Sequence, residues 1–270
     1  MKNKIIAPTD FTKTGDHAVK QAVAIAKKTG SSVTLFHVVD HQAASTGESA
    51  GKLQADAEYF RQNEGVTCDV LIREGKVIDM IHLAAREKDF DLMVIGTHGF
   101  SSLRQKLFGA DILKLVAKVP MPVLVLQEGT QVVESFTKIL LPVGSHENFQ
   151  AAVEAVLFFA GLYDVEVHLY SIVKPGFEWP KQMLTNIEEA ERIFEENDVR
   201  VIRIKEEQDD FSPGYARQTL RFARTIGADA IVIMSAASQE YYFMAKDYKE
   251  TMLLNDDHLP VLCAGGEAGN

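Results

Sequence analysis

The stretch DLMVIGTHGFSSLRQKLFGADILKLVAKVPMPVLVLQ, residues 91–127, decides the fold. It opens on an apolar run, Leu92 to Ile95, that stops at Gly96. Gly99 follows, then nine residues, then Gly109. A helix-forming segment leads to Pro120, and a second apolar run, Val123 to Leu126, closes the stretch. Strand, glycine loop, helix, strand is how an α/β fold builds an anion site, because glycine lets backbone N–H groups approach phosphate oxygens. The same glycines would also serve a tight turn and close helix–sheet packing with no ligand at all.

Upstream, Lys4 to Ala7 reads as a short buried strand. Thr14 or Asp16 can cap a helix that runs to about Lys28, where Gly30 stops it. Ala18, Ala22, Val23, Ile25 and Ala26 give that helix its apolar face. Ser32 to Val39 is a second strand, and Val66 to Arg73 a third. Between them lie a polar loop and a helix marked by Leu53, Ala57 and Phe60. Val77 to Lys88 is a third helix. Strands separated by helices imply a parallel sheet covered on both faces.

The chain is written twice. KIIAPTD (4–10) returns as KILLPVG (138–144), an offset of 134. DLMVIG (91–96) returns as DAIVIM (229–234) and PVLVL (122–126) as PVLCA (260–264), both offset by 138. Such a period is too long for a solenoid and suits paired domains, 1–134 and 135–270. The second copy repeats the rhythm, with helices over 148–162, 186–197, 213–226 and 248–256. The expected fold is α/β: two tandem open parallel five-stranded sheets with helices on both faces.

With the Pro-Thr-Asp close of its first strand (Pro8, Thr9, Asp10), its Gly96/Gly99/Gly109 spacing and its Pro-x-Pro-Val-Leu-Val ending, the segment 4–127 resembles the universal stress protein family. The resemblance implies the adenine nucleotide alpha hydrolase-like fold and a site for ATP or AMP, with Mg as an optional companion. It assigns Pro8, Thr9 and Asp10 to the nucleoside, the backbone of Val38 or Val39 to adenine, and Gly96, Gly99, Gly109 and the residue after it to phosphate and ribose. That last residue is Ala110 here, where the family has a hydroxyl, a loss on the order of 1 kcal/mol. His98, Arg104 and Lys106 can compensate from the loop. In the second copy Met234, Ala237, Asp247 and Tyr248 occupy the corresponding places, and Gly144 replaces Asp10, so this half is expected not to bind ATP through the motif.

Net charge is −10, all of it in residues 136–270, which speaks against nucleic acid as a partner. No apolar run is long enough for a membrane span, and a cytoplasmic location is the default. Cys68 and Cys263 read as buried reduced thiols. No nucleophile–base pair, Cys-x-x-Cys or Walker-type motif stands out, so at most slow incidental ATP hydrolysis is expected. The leading expectation is a stress-response sensor module that binds an adenine nucleotide in its first domain. Its two domains would pair through their last strands as an internal pseudo-dimer, with two chains able to associate further. A nucleotide-independent interaction scaffold is the alternative, and a nucleotide-handling enzyme the third.

Overall fold

A computed structural model describes residues 3–39, 46–87, 89–97, 109–208, 214–235 and 242–264. The chain divides into two units, Met1–Glu134 and Ser135–Gly265.

The first unit contains β1 (Lys4–Pro8), α1 (Lys13–Thr29), β2 (Ser32–Val39), α2 (Thr46–Tyr59), β3 (Cys68–Glu74), α3 (Val77–Glu87), β4 (Leu92–Gly96), α4 (Gly109–Val116) and β5 (Val123–Leu126). Its strands lie in the order β3-β2-β1-β4-β5, all parallel. β1, β2, β4 and β5 are buried along nearly their whole length, not at alternate residues. Continuous burial means that both faces of the sheet are covered. α1 starts earlier than the sequence suggests. Thr12 is the cap, with its Oγ1 accepting from Gly15 N at 3.2 Å, and Gly30 ends the helix at φ 69°. The expected caps Thr14 and Asp16 lie inside the helix, and Asp10 fixes Thr12 in place through Thr12 N and Oγ1.

The second unit contains β6 (Lys138–Pro142), α5 (Gln150–Ala160), β7 (Glu166–Val173), α6 (Lys181–Glu196), β8 (Arg200–Glu207), α7 (Tyr215–Ile226), β9 (Ala230–Met234), α8 (Tyr242–Leu253) and β10 (Val261–Ala264). The order β8-β7-β6-β9-β10, again parallel, is that of the first unit. Two helices begin earlier than expected, α6 by five residues and α8 by six. Pro180 stands immediately before α6, and its carbonyl accepts from Leu184 N at 3.0 Å. Cys68 and Cys263 are buried free thiols.

One repeated residue has a structural explanation. Asp91 and Asp229 precede β4 and β9, and each reaches back to the start of its unit's first strand. Asp91 Oδ2 accepts from Lys4 N at 2.7 Å. Asp229 Oδ2 accepts from Thr137 N, Thr137 Oγ1 and Lys138 N at 2.7, 2.8 and 2.9 Å. Asp229→Ala therefore removes three charge-assisted bonds, and about 2 kcal/mol of stability should go with them. The urea midpoint followed by fluorescence of Trp179, the chain's single tryptophan, measures it.

A glutamine serves the end of the first unit. Fully buried Gln21 of α1 mimics a strand partner for Val133, donating to its carbonyl at 2.9 Å and accepting from its N–H at 2.7 Å.

Candidate functional site

In the first unit the chain runs outward from β1 through β2 to β3, then crosses to the other side of β1 as β4. The strand order therefore switches direction between β1 and β4, and open α/β sheets take ligands at the carboxyl ends beside such a switch. The register brings these ends level, with Pro8 opposite Phe36 and Ile6 opposite Met93. Thr9 N extends the ladder to Phe36 O and Thr97 N to Leu126 O, both at 2.8 Å.

Pro8, Thr9 and Asp10 leave β1 at the centre of this rim. Thr9 is buried and its Oγ1 accepts from Phe11 N at 3.1 Å. Asp10 is half-buried, and its Oδ1 accepts from Thr12 N at 3.0 Å and Thr12 Oγ1 at 2.7 Å. This Asx turn directs the carboxylate and the helix cap from one hydrogen-bond network. Val38 and Val39 end β2 next door with buried side chains, and Val39 O accepts from Gly75 N at 3.1 Å. Gly96 ends β4. His98 and Gly99 lie outside the described residues. Gly109 and Ala110 open α4, where the backbone alone is described.

Gly96 has a packing reason for being glycine. A Cβ there would stand 2.7 Å from Thr14 Cγ2 and 2.8 Å from the Thr14 carbonyl oxygen, so the first turn of α1 lies directly on it. Gly15, a residue that motif reading passed over, has a different one. Its Cβ would stand 3.0 Å from both Asp10 Oδ1 and Thr9 Oγ1. Gly15 makes room for the Asp10 carboxylate.

Three further residues frame the site. Phe11 sits at φ 63°, an uncommon value for a bulky residue that costs on the order of 1 kcal/mol. Its ring contacts His37, centroids 4.6 Å apart, and Lys52 Nζ lies 4.3 Å from the ring centroid. His37 Nδ1 donates to Thr9 O at 2.8 Å. Nothing in the spacing of Phe11, His37 and Lys52 marks them as neighbours; only the fold brings them to one rim.

The second unit keeps the ladder and changes its contents. Val143 N bonds Tyr170 O at 2.8 Å and Ser235 N bonds Ala264 O at 3.2 Å, the counterparts of the Thr9 and Thr97 bonds. Gly144 stands for Asp10, and buried Phe149 stands for Gly15. By the offset of 134 the pair is exchanged together, Asp10 and Gly15 for Gly144 and Phe149. Lys249 of α8 is buried at this end, and burial pushes its ammonium down to about 8. The His146 imidazole is lowered too, by burial and by the Lys249 charge.

Two open parallel five-stranded α/β sheets, each with a direction switch beside its first strand, define the doubly wound α/β class. Within that class, residues 1–127 match the model of the Universal stress protein family. The match covers nearly the whole of the first unit, which is therefore a universal stress protein domain; the second unit lies outside it. Residues of the chain align with a universal stress protein of Methanocaldococcus jannaschii at 24% identity over 155 residues, 47% of this chain and 96% of that protein. A second from the same organism is 27% identical over 139 residues, 46% of this chain and 82% of the relative. Over the full length, the crystal structure of a universal stress protein from Archaeoglobus fulgidus superposes with a TM-score of 0.69 at 16% identity, covering 99% of this chain and 98% of that one, a likeness of fold. No helix among the described residues is long and apolar enough to cross a membrane.

Proposed function

We propose that the first unit binds an adenine nucleotide, ATP or AMP, at the carboxyl ends of β1, β2 and β4, and that the protein works as a stress-response binding module. The observation that carries this reading is the Asp10–Gly15 pair. A half-buried carboxylate is held in place by the cap of α1 and given room by a glycine, at the direction switch of the sheet. Such a carboxylate accepts hydrogen bonds from ribose hydroxyls or an adenine amino group. Gly99 and Gly109 then supply backbone N–H groups to phosphate. Mg, where present, rides on the phosphates. The second unit is a degenerate sibling: Gly144 and Phe149 replace the carboxylate and its space, and it takes no ATP through the family motif. Binding, not turnover, is the function under this reading.

The experiment is to denature purified protein and analyse the extract for ATP and AMP, together with titration of the nucleotide-free protein. Asp10→Ala should weaken adenine-nucleotide affinity at least tenfold, equivalent to about 1.4 kcal/mol, and Gly109→Val should do the same. Undiminished nucleotide in both variants would falsify the site. The nucleotide-independent scaffold is the second reading, favoured by Gly96, whose identity packing explains without a ligand. Absence of binding in the unmodified protein would select it, and steady ATP turnover would select an enzyme.

A further inference from the structure

In the second unit α5 and α6 pack side by side, with a cleft of about 100 Å³ between them. Buried Phe149, Val153 and Ala190 line it, together with half-buried Ile193. Two exposed acids also line it, Glu147 on the approach to α5 and Glu189 on α6. A space of this size takes one side chain, since small-molecule sites run to about 300 Å³ or more. The polar wall is preformed. Asn186 lines the cleft and is 3% exposed. Its Nδ2 donates to Gly144 O at 2.8 Å and to His146 O at 2.9 Å, and its Oδ1 accepts from Gln182 at 3.0 Å. A wall held in this way needs little ordering when a partner arrives.

The unit's own bases do not serve the two acids. Arg192 pairs with Glu196, Arg200 with Glu166, Arg203 with Glu191 and Lys205 with Glu178. Among the described residues, neither Glu147 nor Glu189 has a hydrogen-bonding or ionic partner. A helix start favours an acid, which accounts for Glu147 alone. Glu189 lies well inside α6, away from both of its ends. The repeat supplies a separate observation. At the offset of 134, Glu147 and Glu154 stand where Lys13 and Lys20 stand in the first unit. Both acids are exposed, so the surface charge beside α5 is reversed. The whole net charge of −10 belongs to this half of the chain.

We propose that the α5–α6 cleft docks a basic segment of a partner protein and seats one of its arginine or lysine side chains. The aliphatic stem lies along Val153 and Ile193, and the cationic head reaches Glu147 and Glu189. Charge complementarity selects the partner, and the size of the cleft limits it to a single anchoring side chain. This surface works without nucleotide in the first unit.

The probe is fluorescein-labelled hexa-arginine, titrated with the full chain at pH 7 and followed by fluorescence anisotropy. Salt is held at about 0.15 M, where the screening length is about 8 Å and diffuse attraction to an acidic surface is damped. The unmodified chain should bind the peptide, and the double variant Glu147→Gln/Glu189→Gln should bind it at least tenfold more weakly. The double variant Glu188→Gln/Glu195→Gln is the control. It removes the same charge from exposed positions of α6 outside the cleft and should change affinity by less than about twofold. Equal affinities in the two double variants, or no binding by the unmodified chain, overturns the proposal. Full displacement of the peptide by equimolar spermine also overturns it and assigns the cleft to a polyamine.

Discussion

Gly96→Val should unfold the first unit under conditions where the unmodified chain is stable, at a cost of about 3 kcal/mol or more. The contact responsible is with backbone and cannot be relieved by rotating a side chain. A Cβ at residue 96 would lie 2.8 Å from the Thr14 carbonyl oxygen and 2.9 Å from its carbonyl carbon. To admit it, β4 or the first turn of α1 must move. β4 is buried throughout and paired to both β1 and β5. The α1 turn is held by the Thr12 cap and by Asp10, so displacing it also disturbs the proposed site. Urea unfolding followed by far-UV circular dichroism measures the loss, and a midpoint equal to that of the unmodified chain would sink the packing account. Gly96→Ala should show the same effect at the lower end of about 1–3 kcal/mol.

The second unit explains why such a change is tolerable elsewhere. Met234 occupies the same strand end there and is buried. At the offset of 134, the α1 start at Lys13 corresponds to Glu147, yet α5 begins at Gln150, three residues later. The turn that presses on Gly96 has no helical counterpart, and Met234 has room. Glycine at position 96 and the early cap of α1 are one feature, and losing either permits losing the other.

This coupling marks the limit of what the sequence discloses. The α/β class, the repeat and the strand ends at Val39, Met234 and Ala264 were legible because apolar runs bounded by Gly, Pro or polar residues give strands their period and length. The start of α6 was not, since no capping side chain precedes it and Pro180 stands at its N-cap. For the proposed site, spacing and resemblance pick out Asp10, Val38, Val39 and Gly96, and the fold puts these residues at the carboxyl ends of β1, β2 and β4. Gly15 was missed although its signal was present: the 134 offset that exchanges Asp10 for Gly144 also exchanges Gly15 for Phe149. Phe11, His37 and Lys52 left no such trace, because a ring contact across two strands and a helix has no sequence period. Trp179 is anchored by contacts that no sequence period announces: its Nε1 donates to Ser171 Oγ at 2.7 Å, and Lys205 Nζ lies 4.8 Å from its ring centroid.

Lys249→Met should stabilise the second unit by about 2 kcal/mol at pH 7, and that advantage should shrink as the pH rises towards 10. In the folded chain the ammonium titrates at about 8, against 10.5 when unhindered, because burial disfavours its charge. Below about pH 8 both folded and unfolded chains hold the proton, and the full penalty, about 3 kcal/mol for such a shift, is present. Between about 8 and 10.5 the unfolded chain binds the extra proton, so the Lys249 contribution to stability climbs with pH. Methionine removes the charge and keeps most of the volume, giving up the bond to Ser235 O, which accounts for the smaller net gain. Other groups bend the profile in known directions. Burial raises the Cys263 thiol to about 12, so above pH 9 the unfolded chain loses a proton that the folded one keeps, and stability falls. Tyr163 and Tyr248, both raised to about 12, act the same way above 10. His146, lowered by burial, withdraws stability as the pH drops below 6.5. The difference between unmodified and Lys249→Met chains cancels most of these. It is measured as urea midpoints by Trp179 fluorescence at pH 7, 8, 9 and 10. A constant difference across that range would show that Lys249 keeps an ordinary ammonium in the folded unit, and a growing one would reverse the sign of the linkage.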